Sequence, residues 1–439
     1  MKYGGTASVG AVSPDLPQPT FHTNDTASDM QKIVSPAQSR SALIFIFITL
    51  LIDVTGLGII IPVLPKLIEQ LIHGNMGEAA AIGGWLTFAY ALVQFVCAPV
   101  LGNLSDRYGR RPVLLLSLLG FGLDYFFMAF APTIIWLFAG RIISGVMGAS
   151  FTTAAAYIAD VSTPEKRTQN FGIIGAAFGL GFILGPLMGG GLGQFGPRAP
   201  FIAAGILSLL NVAYGYLVLP ESLPAGNRRA FEWKRANPVG SLVQMKQYPA
   251  VYGLIATLVL IYIANNGVQT TWAFYGMQKF SWDEAWVGYS LGFSGLLVAI
   301  VQLGLIRLII PRIGTKKSLY IGLAFYSLGL LLFAFATSGW MMFVILVPYS
   351  LGNIASPALQ SIITGQISSS EQGALQGGLT SLMSVTTIVA PPLMGSLFAW
   401  FTGNDAPFLF PGAPFFVSGV LVFVSIFLAI KSMRKPNVR

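Results

Sequence analysis

The chain is 439 residues long, 54% apolar and only 9% charged, with a mean hydropathy of +0.71. That composition excludes an ordinary soluble domain. The net charge of +9 is spread between apolar segments rather than gathered in one patch, so no nucleic-acid partner is expected. The single cysteine, Cys97, leaves no internal disulfide or thiolate metal site, and His22 and His73 lie in polar flanks; neither a metal nor another cofactor is expected.

Residues 1–41 are rich in Ser, Thr, Pro and Asp without an apolar period, and read as a disordered cytoplasmic tail. The first apolar run starts after Arg40 and is too long for the core of a signal peptide. From there, apolar spans recur near 42–65, 79–101, 112–131, 133–156, 169–193 and 200–219. A polar stretch over 221–249 follows, carrying Arg228, Arg229, Lys234 and Arg235. Six more spans lie near 250–274, 286–309, 316–336, 340–363, 375–400 and 413–430, before a short basic tail. Each is long enough to cross a hydrocarbon core of about 30 Å. The division is therefore a six-helix bundle over 42–220, a cytoplasmic loop over 221–249 and a second bundle over 250–439.

With both termini placed in the cytoplasm, 21 of the 25 Lys and Arg residues fall on the inner side. Only Lys66, Arg198 and Lys279 fall outside, and Arg141 stays in the membrane. This asymmetry follows the positive-inside rule and sets the expected orientation. The halves also echo each other. Pro186-Leu187-Met188-Gly189 returns as Pro392-Leu393-Met394-Gly395 and Glu165 as Glu371, both 206 residues later. Arg107, Gly109, Arg110 and Arg111 find a looser echo in Arg312, Gly314, Lys316 and Lys317. Duplicated six-helix halves around a central site form a transporter architecture.

Three charges stand inside the spans: Asp53, Asp124 and Arg141. Each costs about 2.5–3.5 kcal/mol on insertion scales and needs a partner or a task. At about 1.5 Å per residue, Asp53 sits near the midplane. Asp124 and Arg141 lie roughly 10 and 12 Å from the outer ends of their helices, a shared depth at which they can pair. Two acids then face one base, and a buried carboxylate lacking a counter-charge holds its proton to higher pH, as a proton carrier must. Asp53 is the stronger candidate for that task. Asp160, at an inner helix end, reads as an interfacial cap. In the second half, Asn265, Gln269, Gln302, Asn353 and Gln360 are candidates for a cavity wall, in competition with interhelical hydrogen bonding. Trp272, Tyr275 and Trp282 read as an outer aromatic belt.

Two motifs are more specific. Gly102-Asn103-Leu104-Ser105-Asp106-Arg107-Tyr108-Gly109-Arg110-Arg111-Pro112 lies between the second and third spans. Gly102 permits close helix contact, Gly109 a tight turn, and Pro112 a helix start. The second runs from Gly175 to Gly190 and contains Gly181, Gly185, Pro186 and Gly189; it lies inside an apolar span with no strand before it, so it is no dinucleotide loop.

The first motif resembles the loop 2–3 motif of the major facilitator superfamily, where it acts as a conformational latch; Gly102, Asp106, Arg107, Gly109, Arg110 and Arg111 match it. The second resembles the fifth-helix antiporter motif, and Gly140-Arg141-Ile142-Ile143-Ser144-Gly145 the fourth-helix motif implicated in proton coupling. From residue 42 onward the chain is similar to the tetracycline/proton antiporter group of twelve-helix drug exporters. The resemblance implies an all-α membrane protein of twelve helices in two pseudo-symmetric bundles. It also implies proton-coupled efflux of an amphipathic small molecule, and it places Asp53, Asp106, Arg107, Asp124 and Arg141 at functional positions. One departure bears on substrate: Tyr326 stands where tetracycline pumps carry a helix-nine acid. The expectation is a monomeric, multi-pass transporter in the cell membrane whose partners are its substrate, protons and lipid, and not an enzyme. The alternative is a uniporter or proton symporter for a small nutrient or metabolite.

Overall fold

The computed structural model describes residues 36–148, 150–163, 165–233, 240, 248, 251–368 and 371–434. Among them, twelve helices are long and apolar enough to cross a membrane. They are α1 (Pro36–Ile59), α2 (Met76–Tyr108), α3 (Arg110–Ala129), α4 (Ile134–Val161), α5 (Arg167–Gly193) and α6 (Ala199–Val218). The second six are α7 (Tyr252–Phe280), α8 (Glu284–Ile313), α9 (Thr315–Phe335), α10 (Gly339–Thr364), α11 (Gln372–Thr402) and α12 (Ala413–Arg434). No strand occurs among the described residues.

Of the tail expected over 1–41, residues 1–35 lie outside the described residues and 36–41 are helical, since α1 begins at Pro36 rather than at 42. Residues 234–239, 241–247 and 249 of the central segment lie outside the described residues as well. The first span is also broken. After Ile59 the chain turns, with Val63 N donating to Ile60 O at 3.2 Å, and restarts as a short helix over Leu64–Ile72. Pro65 sits in its first turn, where the missing N–H costs no helical bond. Asn75 then caps α2 by accepting from Glu78 N at 3.0 Å.

The duplication is visible in backbone geometry. Gly109 joins α2 to α3 in a one-residue turn at φ 106° and ψ 158°, and Gly314 joins α8 to α9 at φ 82° and ψ 154°. Both lie in a region that glycine enters without steric cost. The packing repeats too. α1 packs on α5 and α6, α3 on α4 and α6, and α2 on α4; adding six to each number gives the pairings of the second half. Between halves, α2 packs on α11 and α8 on α5, which are also exchanged by that shift.

Trp272 and Tyr275 are not belt residues. Trp272 is 3% exposed and Tyr275 fully buried, packed against Phe333 and Phe415 because α9 and α12 cover that side of α7. Trp272 Nε1 donates to Ser290 Oγ at 2.9 Å and Tyr275 Oη to Phe333 O at 2.6 Å, so the polar tips are satisfied inside the bundle. Trp282 is buried beside Phe343.

The two halves meet at one end only. Call the end with Arg107–Arg111, Lys316 and Lys317 the basic end. Toward the opposite, far end, a Cβ on Gly84 would stand 3.0 Å from Pro392 Cα, and one on Gly190 3.1 Å from Ala285 Cα. Gly102 lies eighteen residues from Gly84, five full turns, and so on the same face of α2. Gly179 lies eleven residues from Gly190, about three turns, on the same face of α5. Neither has any atom within 4 Å of a Cβ position, and the same holds for Gly172, Gly175 and Gly373. The contacting faces therefore part toward the basic end, and the molecule is closed at the far end and open at the basic one.

Candidate functional site

Asp53 is 8% exposed and lines a small recess with Gly56, Phe121, Tyr125 and Ser208. It is positioned by the glycine stripe of α5. A Cβ on Gly181 would stand 2.7 Å from Val54 Cβ and one on Gly185 2.7 Å from Thr55 O, while Gly189 abuts Ile59 O. The antiporter-type motif thus seats α5 directly against the segment of α1 that carries the acid. Gly56 likewise admits Tyr125, whose hydroxyl is 2.9 Å from the Cβ position. Tyr125 lies in the electrostatic fields of Asp53, Arg141 and Asp124.

Asp124 and Arg141 are brought to one depth, as expected, but they form no ion pair within 4.0 Å. Asp124 accepts instead from the Ser144 hydroxyl on α4, and its Oδ1 is buried without a hydrogen-bond partner. The reason is helix rotation: Asp124 packs against Gly140 and Ser144, with Oδ1 3.1 Å from a Cβ position on Gly140. Arg141 lines a cavity of ≈ 140 Å³ between the halves, with Leu57, Thr87, Gln269, Thr270 and Phe274 among its other walls. The cavity wall is apolar but for one guanidinium, one amide and two hydroxyls among its lining residues. Such a surface suits an amphipathic molecule.

Of the five amide candidates in the second half, Gln269 lines this cavity. Asn265 is half-buried one turn away. Gln302 is exposed within a π-helical turn over Val301–Leu305. Asn353 lies in a 3-10 turn over Gly352–Ile354 and donates to Ser350 O at 3.2 Å. Gln360 is half-buried on α10. These four lie outside the cavity lining. Tyr326 is 6% exposed, its ring 5.2 Å from that of Tyr349, and it too is packed inside the second half.

Sequence reasoning missed Tyr90 and Gln94. Gln94 Nε2 donates to Tyr90 Oη and to Gly148 O, each at 3.1 Å, and Tyr90 lies in the fields of Arg141 and Asp53. Their spacing of four in an apolar helix was the available signal, since it puts both polar tips on one face.

At the basic end, Arg110 joins three elements. It pairs with Asp106 at 2.5 Å and with Asp160 at 3.1 Å, and donates to Ser105 Oγ at 2.7 Å. Asp160, expected to be only a cap, is therefore part of this cluster, and it also accepts from Ser222 Oγ at 3.1 Å. Glu221 accepts from Arg110 N at 2.9 Å and Arg111 N at 3.3 Å, capping α3 from the end of α6. Arg111 reaches Tyr216 O at 2.6 Å. Arg107 is exposed over the Tyr108 ring, and Gly102 faces open space. The latch residues accordingly divide into an interlocked group within the first half and a pair outside it.

The sequence matches the profile of the Major Facilitator Superfamily over residues 46–346 and 308–438. It is 40% identical to the class C tetracycline resistance protein of Escherichia coli over 362 residues, 82% of this chain and 91% of that one. Identity is 39% to the class G protein of Vibrio anguillarum, covering 80% and 89% of the two chains. Among solved structures, the human organic anion transporter MFSD10 superposes with a TM-score of 0.64 at 25% identity, covering 89% of this chain and 99% of that one. A bacterial homologue of the human lysosomal transporter Spinster, inward-facing and unoccupied, superposes at 0.72 and 16% identity, covering 91% and 98%. With the duplicated twelve-helix bundle and its cavity between halves, these similarities show that the chain belongs to the major facilitator superfamily, in the company of the tetracycline resistance proteins.

Proposed function

We propose that this chain exports a drug-like amphipathic molecule from the cytoplasm in exchange for protons, with tetracycline among the candidate substrates. The basic end is the cytoplasmic face by the positive-inside rule, both termini lie there, and the state described above is inward-open. The observation that carries the reading is the cavity between the halves, walled by Arg141 and Gln269, with Asp53 one turn along α1 from its wall residue Leu57.

Substrate enters from the cytoplasm and settles between α1, α2 and α7. Rocking of the halves closes the basic end and opens the far end. Protonation of Asp53 or Asp124 from outside weakens the hold on substrate, and loss of that proton inside resets the site. Arg141 tunes the acids through its field, and the Arg110 cluster keeps α2, α3 and α4 moving as one body.

Expression in an efflux-deficient bacterium tests this, with accumulation of tetracycline and a panel of lipophilic drugs as the readout. The chain lowers accumulation of at least one compound, and Asp53→Asn restores it. Unchanged accumulation across the panel contradicts the proposal.

A further inference from the structure

We infer that Lys66 and Glu284 form a latch on the far gate, an ion pair that holds the two halves together in the inward-open state and parts when the far end opens. The inference rests on the alternation between two open states proposed above.

Lys66 Nζ donates to Glu284 Oε2 at 2.8 Å. Lys66 belongs to the first half: its short helix, Leu64–Ile72, packs on α2 and α4. Glu284 belongs to the second half as the first residue of α8. Its backbone is fixed there because Asp283 caps the helix, accepting from Trp286 N at 2.9 Å. The ion pairs of Arg110 with Asp106 and Asp160, by contrast, stay within the first half.

Glu284 also sits at a close-packed point of the α5–α8 seam. A Cβ on Gly190 would stand 2.6 Å from Glu284 O, and one on Gly193 2.8 Å from Glu284 Cβ. Carbonyl, Cβ and carboxylate of one residue thus all touch the first half. No rocking motion that separates α5 from α8 at this end can leave the ion pair intact. The pair is therefore present in one state and absent from the other, the condition for a contact to bias the equilibrium between them.

The two ends of the pair are not equivalent. The Glu284 side chain is 8% exposed, that of Lys66 37%. Removing the lysine leaves a nearly buried carboxylate without its cation while the gate is shut, and opening the gate hydrates it. Removing the carboxylate leaves a lysine that already reaches water. Loss of Lys66 should open the gate more than loss of the Glu284 charge.

Spin labels on Phe195→Cys and Leu409→Cys, in a Cys97→Ser background, report the far-end separation in lipid nanodiscs. Both positions are open to solvent, at 84% and 71% exposure, one in each half. Dipolar spectroscopy should show the long-distance population rising about two- to fivefold in Glu284→Gln and about tenfold or more in Lys66→Met. Lys66→Arg should keep the parental distribution. Parental distances in both Glu284→Gln and Lys66→Met overturn the latch, as does a Lys66→Arg protein as open as Lys66→Met. Should Lys66→Met fail to fold, the comparison of Glu284→Gln with the parent decides alone. The distances need neither substrate nor a proton gradient, so they stand apart from the transport reading.

Discussion

The Ser144 hydroxyl donates to Asp124 between α4 and α3, one turn from Arg141, and so holds the carboxylate outside the lining of the central cavity. Arg141 is left to face the space between the halves. No ion pair within 4.0 Å joins this base to this acid.

The first prediction follows from that bond. Ser144→Ala removes the donor to a carboxylate whose other oxygen is already buried without one. The loss should destabilise the protein by about 1–3 kcal/mol. Asp124→Asn in the Ser144→Ala background should recover part of it, because the buried charge is then gone. Thermal unfolding of the parent and the two variants in detergent measures both steps; equal stability of Ser144→Ala and parent contradicts the role given to the bond.

A second prediction concerns the cap on α3. Glu221 accepts two backbone N–H groups at the helix start and a third from Leu223 at 3.0 Å. Glu221→Ala should cost about 1–2 kcal/mol and Glu221→Gln much less, since the amide oxygen can still accept. Arg110→Lys should also weaken the cluster, because an ammonium cannot reproduce the fork that reaches Asp106, Asp160 and Ser105 together. Denaturation midpoints of the three variants test the ranking.

The glycine stripe of α5 supplies a third. Gly185→Ala would place a methyl 2.7 Å from Thr55 O and 2.8 Å from Gly58 Cα, forcing α1 away at about 1–3 kcal/mol. The Cβ of Gly179→Leu has no heavy atom within 4 Å in the inward-open state, so folding should be little affected. It lies on the face that must close against α8 at the basic end, and transport should fail while the melting temperature stays parental. A Gly179→Leu protein with full transport would show that this face stays open throughout the cycle.

What the sequence could tell divides along physical lines. Spans of twenty apolar residues announce themselves by length, and the Pro186/Pro392 and Gly109/Gly314 echoes are local in sequence, so twelve helices in two halves were legible. The break after Ile59 was less so, because Pro65 fits a helix start as well as a helix end. Contacts set by rotation about a helix axis were out of reach. Asp124 turns toward Ser144, Asp160 toward Arg110 fifty residues earlier, and Tyr326 toward Tyr349. The last matters for substrate, because the residue standing where an acid was expected is sealed inside the second half in this state.

Proton-driven exchange is the central claim, and flux in proteoliposomes tests it most directly. Vesicles holding the purified protein should move tetracycline, or whichever panel compound the cells exclude, against an imposed proton gradient. Collapsing the gradient should stop net movement, and Asp53→Asn should carry substrate at a rate independent of pH difference. Substrate flux through the parental protein that is indifferent to the gradient would contradict the account.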